Sequence, residues 1–258
     1  MFERIKEIYA YREMLRNLVA KELRARYKGS VLGFLWTFFN PLLMLVVYSI
    51  AFSFIMRVQV ENYAMFLFVA LLPWNYLANS VTQGATSLVQ NSALMKKIYF
   101  PREVLPLSVV LSNLTNYLLS LFILFPALLI FKVKIALPVI AFPVVLLVET
   151  LLVAPLTFLV AVANVYFRDM EHIVGVLMTA WFFLSPVIYS SEHIPPDVRP
   201  IFDLNPAAPI IEAYRNIFFY GQWPEWGSLG SLALGLAIFF LISLAFFNYF
   251  QKAVAEEI

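Results

Sequence analysis

Seven blocks of this sequence contain no Asp, Glu, Lys or Arg: 29–56, 62–95, 104–131, 135–148, 150–167, 172–191 and 226–251. A helix of about 20 apolar residues, rising 1.5 Å per residue, crosses roughly 30 Å of hydrocarbon. The blocks therefore predict six spans, at about 31–56, 63–88, 104–131, 138–166, 173–191 and 228–250. The fourth joins two blocks across Glu149, and Lys132 and Lys134 mark a tight turn between the third and fourth. A count of five or seven stays open, because 192–227 is itself partly apolar. With 62% apolar and 13% charged residues, far from the usual 45–50% and about 25%, the chain reads as an all-α polytopic membrane protein.

The basic residues set the orientation. Eight Lys and Arg fall in 1–30, three in 91–103, one in 167–172 and one after 251; the opposite side has Arg57, Lys132, Lys134, Arg199 and Arg215. The basic side is the cytoplasmic one, so both termini are expected in the cytoplasm. Segment 1–30 carries twelve charges and is not a cleavable signal. Ile8, Tyr11, Leu15 and Leu18 recur at steps of 3, 4 and 3, opposite Arg4, Glu13, Arg16, Lys21 and Arg24. This predicts an N-terminal amphipathic interface helix drawn to anionic lipids, or a plain surface anchor. Segment 192–227 has six Pro but also the apolar run Ala207–Tyr220. It is too apolar for disorder, and short re-entrant helices shielded by protein would reconcile the two features.

Chemistry is sparse. There is no Cys, His172 and His193 stand far apart, and Glu61, Glu192, Asp197, Asp203, Glu212 and Glu225 are scattered. H-E-x-x-H, G-x-S-x-G and P-loop patterns are all missing. The reading is no enzyme, no metal and no cofactor in this chain. A net charge of +2 gives no reason to expect nucleic acid. Work against a gradient would draw on a partner or an ion. Glu149, inside the fourth span, has three readings: an interhelical hydrogen bond as a neutral acid, a polar pathway, or a proton carrier. Asn75, Asn79, Ser80, Thr82, Gln83, Asn113, Thr115 and Asn116 read mostly as interhelical glue. Asn40-Pro41 predicts a kink in the first span. Phe38, Pro41, Leu45, Tyr48 and Phe52, and again Met178, Phe182, Ser185 and Tyr189, repeat at helical steps. These stripes pack against protein or lipid, or else line a path on which sugar rings stack.

Taken in order, several fragments resemble the membrane subunit of ABC-2 type exporters, above all those of O-antigen and teichoic-acid polysaccharides. They are Arg26-Tyr27-Lys28-Gly29-Ser30-Val31-Leu32-Gly33-Phe34-Leu35-Trp36 with Asn40-Pro41, Lys96-Lys97-Ile98-Tyr99-Phe100-Pro101-Arg102-Glu103, Tyr166-Phe167-Arg168-Asp169-Met170, Asn205-Pro206 and Tyr214-Arg215. The resemblance covers essentially the whole chain, with 31–258 as the six-span domain. It implies a homodimer in the bacterial cytoplasmic membrane, bound to two copies of a separate ABC ATPase that holds ATP and Mg. It also implies that 91–103 forms a coupling helix, with Leu32, Gly33, Lys96, Lys97, Tyr99 and Arg102 facing the ATPase. The first and fifth spans would line the path, through Phe38, Tyr48, Phe52, Phe182 and Tyr189. A lipid-linked polysaccharide would enter with its pyrophosphate near Arg24, Arg26 or Lys28; these three contacting lipid phosphates is the competing reading. Rival functions are export of a drug, lipid or small glycoconjugate, and ion-coupled secondary transport through Glu149. The polymer's identity and length are not written in the sequence.

Overall fold

The computed structural model describes residues 2–51, 62–191, 194, 197 and 199–257. Among these residues all regular structure is helical. The charge-free blocks become five helical stretches long and apolar enough to cross a bilayer: Gly33–Ala51, Tyr63–Gln90, Val104–Ile130, Leu137–Tyr166 and Trp226–Gln251. The first is a turn of 3₁₀ helix, Gly33–Leu35, leading into α3 (Trp36–Tyr48). The others are built on α4 (Tyr63–Gln90), α6 (Val104–Ile130), α7 (Phe142–Tyr166, after a 3₁₀ turn over Leu137–Ala141) and α11 (Trp226–Glu257). Residues 52–56 of the expected first span, Phe52 with them, lie outside the described residues, as do Arg57 and Glu61.

The fifth expected span differs. In place of 173–191 the chain forms α8, Met170–Leu184, a helix of 15 residues and about 22 Å. Its end has a cause in the sequence. Ser185 precedes Pro186, which disfavours the helical conformation at the residue before it, and Ser185 is extended at φ −106, ψ 148. Tyr189 therefore lies beyond a turn, and Met178, Phe182, Ser185 and Tyr189 do not form the single helical stripe that their spacing predicts.

The N-terminal segment is two helices rather than one. α1 (Phe2–Ala10) and α2 (Arg12–Tyr27) meet at Tyr11, whose φ −93 and ψ 18 break the helix. The predicted apolar face finds protein: Leu18 is buried with Leu88, Phe100, Val104 and Leu105, and Tyr11 and Leu15 pack around them. Glu13, Arg16, Lys21 and Arg24 are exposed.

α4 is the axis of the bundle, with Met65, Phe68, Ala70, Ala85 and Leu88 fully buried and contacts to α3, α6, α7 and α8. Its approach to α7 depends on one small residue. A Cβ on Gly84 would stand 2.2 Å from Cγ2 of Thr157, so glycine there lets the two backbones close up, as small residues do in membrane interfaces. By contrast α3 and α8 sit at the margin. Leu42, Leu43, Val46 and Val47 on one, and Val176, Leu177, Phe183 and Leu184 on the other, are exposed.

Candidate functional site

Three clusters gather the polar residues of the sequence. The first is at the basic end of the bundle. After α4 the chain forms a short helix, α5 (Ser92–Lys97), then runs extended from Ile98. α2 and the break before it fasten this loop from the side: Tyr11 Oη donates to the Tyr99 carbonyl at 3.2 Å, and Lys21 Nζ donates to Asn91 Oδ1 at 3.0 Å. Arg102 donates to the carbonyl of Gln251 on α11, so it ties the loop to the C-terminal helix. Lys96, Lys97 and Tyr99 are exposed, Tyr99 by 83%. Leu32 is also exposed, and it precedes Gly33, whose φ of +50 makes the tight turn into α3. The predicted coupling residues thus divide into an exposed group and one anchoring arginine.

The second cluster is a chamber of about 140 Å³ between α3, α4 and α6. It joins residues that the sequence scatters between positions 26 and 120. Asn40, Asn75, Asn79, Asn113 and Asn116 line it, with Trp36, Tyr76 and Tyr117, and Arg26 at one side. Arg26 Nη2 donates to Gln83 Oε1 at 2.9 Å and to Asn113 Oδ1 at 3.0 Å, and Asn113 Nδ2 donates to Gln83 Oε1 at 3.2 Å. The three predicted phosphate contacts, Arg24, Arg26 and Lys28, are all exposed, and Arg26 reaches across to α4 and α6. Thr82 and Thr115 instead return their hydroxyls to carbonyls of their own helices, Ala78 at 2.7 Å and Leu111 at 2.8 Å. Nothing in the linear pattern marked these asparagines as neighbours.

The third cluster pins the segment before the last span. That segment holds α9 (Arg199–Asp203) and α10 (Ala207–Arg215), and α10 is buried along Ala207, Ala208, Ile210, Ile211, Ala213, Tyr214 and Arg215. Asn205 just before it donates to the Leu184 carbonyl at 3.1 Å and Ser185 Oγ at 2.9 Å. Its Oδ1 accepts from Trp181 Nε1 at 2.8 Å and the Ala207 amide at 3.0 Å. One amide thus closes the end of α8 and starts α10. Tyr214 Oη donates to Glu149 Oε2 at 2.5 Å, and both groups are buried. Of the readings open for Glu149, this geometry supplies the interhelical hydrogen bond. Arg215 is 2% exposed; it donates to the carbonyls of Val187 at 2.6 Å and Tyr189 at 3.1 Å, and its guanidinium lies 3.6 Å from the Phe66 ring centroid. Ser191 donates to Glu212. Burial raises the Glu212 carboxyl above its ordinary range, and the nearby Arg215 guanidinium opposes that shift.

Phe38 meets Phe34 edge-on at 5.7 Å, and Tyr48 is half-buried against the core with its hydroxyl toward Met44 Sδ at 3.6 Å. Phe182 packs on Trp74 at 5.6 Å. Tyr189 Oη donates to the Phe183 carbonyl at 3.0 Å and its ring meets Phe202 at 5.8 Å. Among the described residues no group of three His, Cys, Asp or Glu is placed to hold a metal.

Residues 13–219 match the sequence profile of the ABC-2 type transporter family. The chain belongs to that family. This ABC-2 transporter is 38% identical to the O-antigen export system permease protein RfbA of Myxococcus xanthus, over the whole of both chains. It is 31% identical to a protein of the same name from Klebsiella pneumoniae, over 95% of this chain and 94% of that one. It is also 21% identical to the polysialic acid transport protein KpsM of Escherichia coli, over 92% and 93%. The motif residues Asn205, Tyr214 and Arg215 of this ABC-2 transporter, the last two buried, hold its helices together, whereas Lys96, Lys97 and Tyr99 are left facing outward.

Proposed function

We propose that this chain is the membrane subunit of an ATP-driven exporter that moves a lipid-linked polysaccharide across the bacterial cytoplasmic membrane. The observation that carries it is the end-to-end likeness to a permease of an O-antigen export system. The family works with a separate ABC ATPase, and the lack of a P-loop in this chain suits that division. In this reading both termini and 91–103 are cytoplasmic, as thirteen Lys and Arg on that side against five favour. α8 makes a sixth, short crossing, and α10 dips into the outer leaflet with its polar groups satisfied by protein.

The mechanism follows from what is rigid and what is exposed. ATPase closure pushes on Lys96, Lys97 and Tyr99 and on the Leu32-Gly33 turn. Because α2 and the break before it hold that loop through Tyr99 and Asn91, and Arg102 joins it to α11, the push reaches α2, α4, α6 and α11 together. The exposed apolar faces of α3 and α8 meet a second copy or lipid, and a path between two copies would be walled by Phe38, Tyr48, Phe182 and Tyr189. The lipid-linked pyrophosphate enters at Arg24, Arg26 and Lys28, where phosphate finds guanidinium and ammonium donors.

Affinity purification of the tagged chain from its own membrane is expected to recover an ABC ATPase in equal amount. Deleting the gene is expected to trap lipid-linked polymer inside the cell. An ATPase-free complex, or normal polymer at the surface of the deletion strain, overturns the reading. Transport by the chain alone in liposomes would instead favour ion coupling.

A further inference from the structure

The asparagine-lined chamber has no task in the export cycle described above, and its lining is specific enough to say what it holds. Its volume of about 140 Å³ gives room on the order of ten water molecules, enough for one sugar ring with its hydroxyl groups. Both amide atoms of Asn116 are buried there without a hydrogen-bond partner in the protein. An amide brings two donors and an acceptor, and a buried amide is retained unpaired where water or a ligand completes it. Asn40, Asn75 and Asn79 add three more amides around the same space.

The remaining wall is aromatic. The Tyr76 and Tyr117 rings stack on each other at 5.9 Å with 11° between their planes and are buried, which leaves the half-buried Trp36 as the ring of the lining open to a ligand. Amides beside an aromatic ring are the two halves of a carbohydrate site, one for hydroxyls and one for the apolar ring face. A lipid tail has a different place to go. The groove between α3 and α6 lined by Leu45, Ile50, Phe122, Pro126 and Ile130 is almost wholly apolar. A phosphate is equally ill served inside the chamber, where Arg26 is the one cation of the lining among the described residues.

Arg26 decides the polarity of the site. Its guanidinium bridges Gln83 on α4 and Asn113 on α6, and so spans two of the helices that enclose the chamber. Its partners there are neutral amide oxygens, against which a pyrophosphate competes well, because charge-assisted hydrogen bonds are roughly twice as strong. We propose that the chamber takes the sugar ring next to the pyrophosphate of a lipid-linked glycan, and that Arg26 is its latch, closed on Gln83 and Asn113 until the pyrophosphate draws it away. The inference rests on the lipid-linked polysaccharide reading above.

The test uses the complex of this chain with its ATPase in lipid nanodiscs and two radiolabelled probes. One is a short-chain polyprenyl pyrophosphate; the other is the same molecule carrying a single N-acetylhexosamine. The sugar-bearing probe is expected to bind more tightly, and Asn116→Leu is expected to remove roughly tenfold of that advantage, the worth of one or two hydrogen bonds. The change keeps the size of the side chain and breaks no bond within the protein, so complex yield should hold. Asn75→Leu, on another helix, is the second variant and should act alike. Equal binding of both probes to the wild type, or an undiminished preference in both variants, overturns the chamber while leaving the pyrophosphate reading intact. Binding of neither probe to a complex that hydrolyses ATP overturns the pyrophosphate reading, and the chamber proposal falls with it.

Discussion

Gly84→Ala is the smallest change with the largest leverage on this bundle. The added Cβ would meet Cγ2 of Thr157 at 2.2 Å and its Cβ at 3.3 Å, where carbon atoms at rest stay about 3.5–4.0 Å apart. Rotating Thr157 is no escape, because its Oγ1 donates to the Val153 carbonyl at 2.8 Å. α4 and α7 must then separate, and overpacking of this kind costs about 1–3 kcal/mol. Alanine returns about 1 kcal/mol of helix propensity, which leaves a net loss of about 1 kcal/mol at the middle of that range and about 2 kcal/mol at its top. In thermal unfolding of the purified complex that is a fall of roughly 2–8 °C. Thr157→Ser deletes Cγ2 and keeps the hydroxyl, so the double variant should recover most of the loss. An unshifted Gly84→Ala protein, or a double variant no better than the single one, refutes the close-packing argument.

Other outcomes are equally definite. Glu149→Gln keeps an acceptor for Tyr214 and should preserve abundance and export. Glu149→Leu strands that hydroxyl at a cost of about 1–3 kcal/mol and should lower abundance; export lost in Glu149→Gln at normal abundance would instead indicate a proton carrier. Arg215→Lys cannot reach the Val187 and Tyr189 carbonyls together, so a Cys placed at Ser190 should react faster with a maleimide than in the parent. In the Cys-free chain, single Cys at Ala93 and Asp203 should be labelled in intact cells by an impermeant reagent at Asp203 alone; the reverse pattern overturns the orientation. Lys96→Glu with Lys97→Glu should weaken ATPase association or uncouple hydrolysis from export, read by co-purification and surface polymer together.

Much of the architecture was legible in one dimension because the bilayer imposes a one-dimensional rule. An uninterrupted apolar stretch of about 20 residues reads as a helix long enough to cross, and four of the five long helices fall within a few residues of their charge-free blocks. The apolar stripe through Tyr11, Leu15 and Leu18 was legible for a similar reason, since helical spacing alone gathers it on one face. Where it packs was not. The shortened α8 was written in Ser185-Pro186, a local signal that the length of the apolar block overrode.

The tertiary structure decided what spacing cannot encode. Arg26, Asn40, Asn75, Asn113 and Asn116 lie on four different helical segments, and their meeting depends on how α2, α3, α4 and α6 cross. Glu149 finding Tyr214, and Asn205 closing α8 while opening α10, are pairings of the same kind. A sequence lists which groups must be satisfied, since buried polar atoms demand partners. Only packing, through close contacts such as Gly84 on Thr157, fixes which helices lie near enough to supply them.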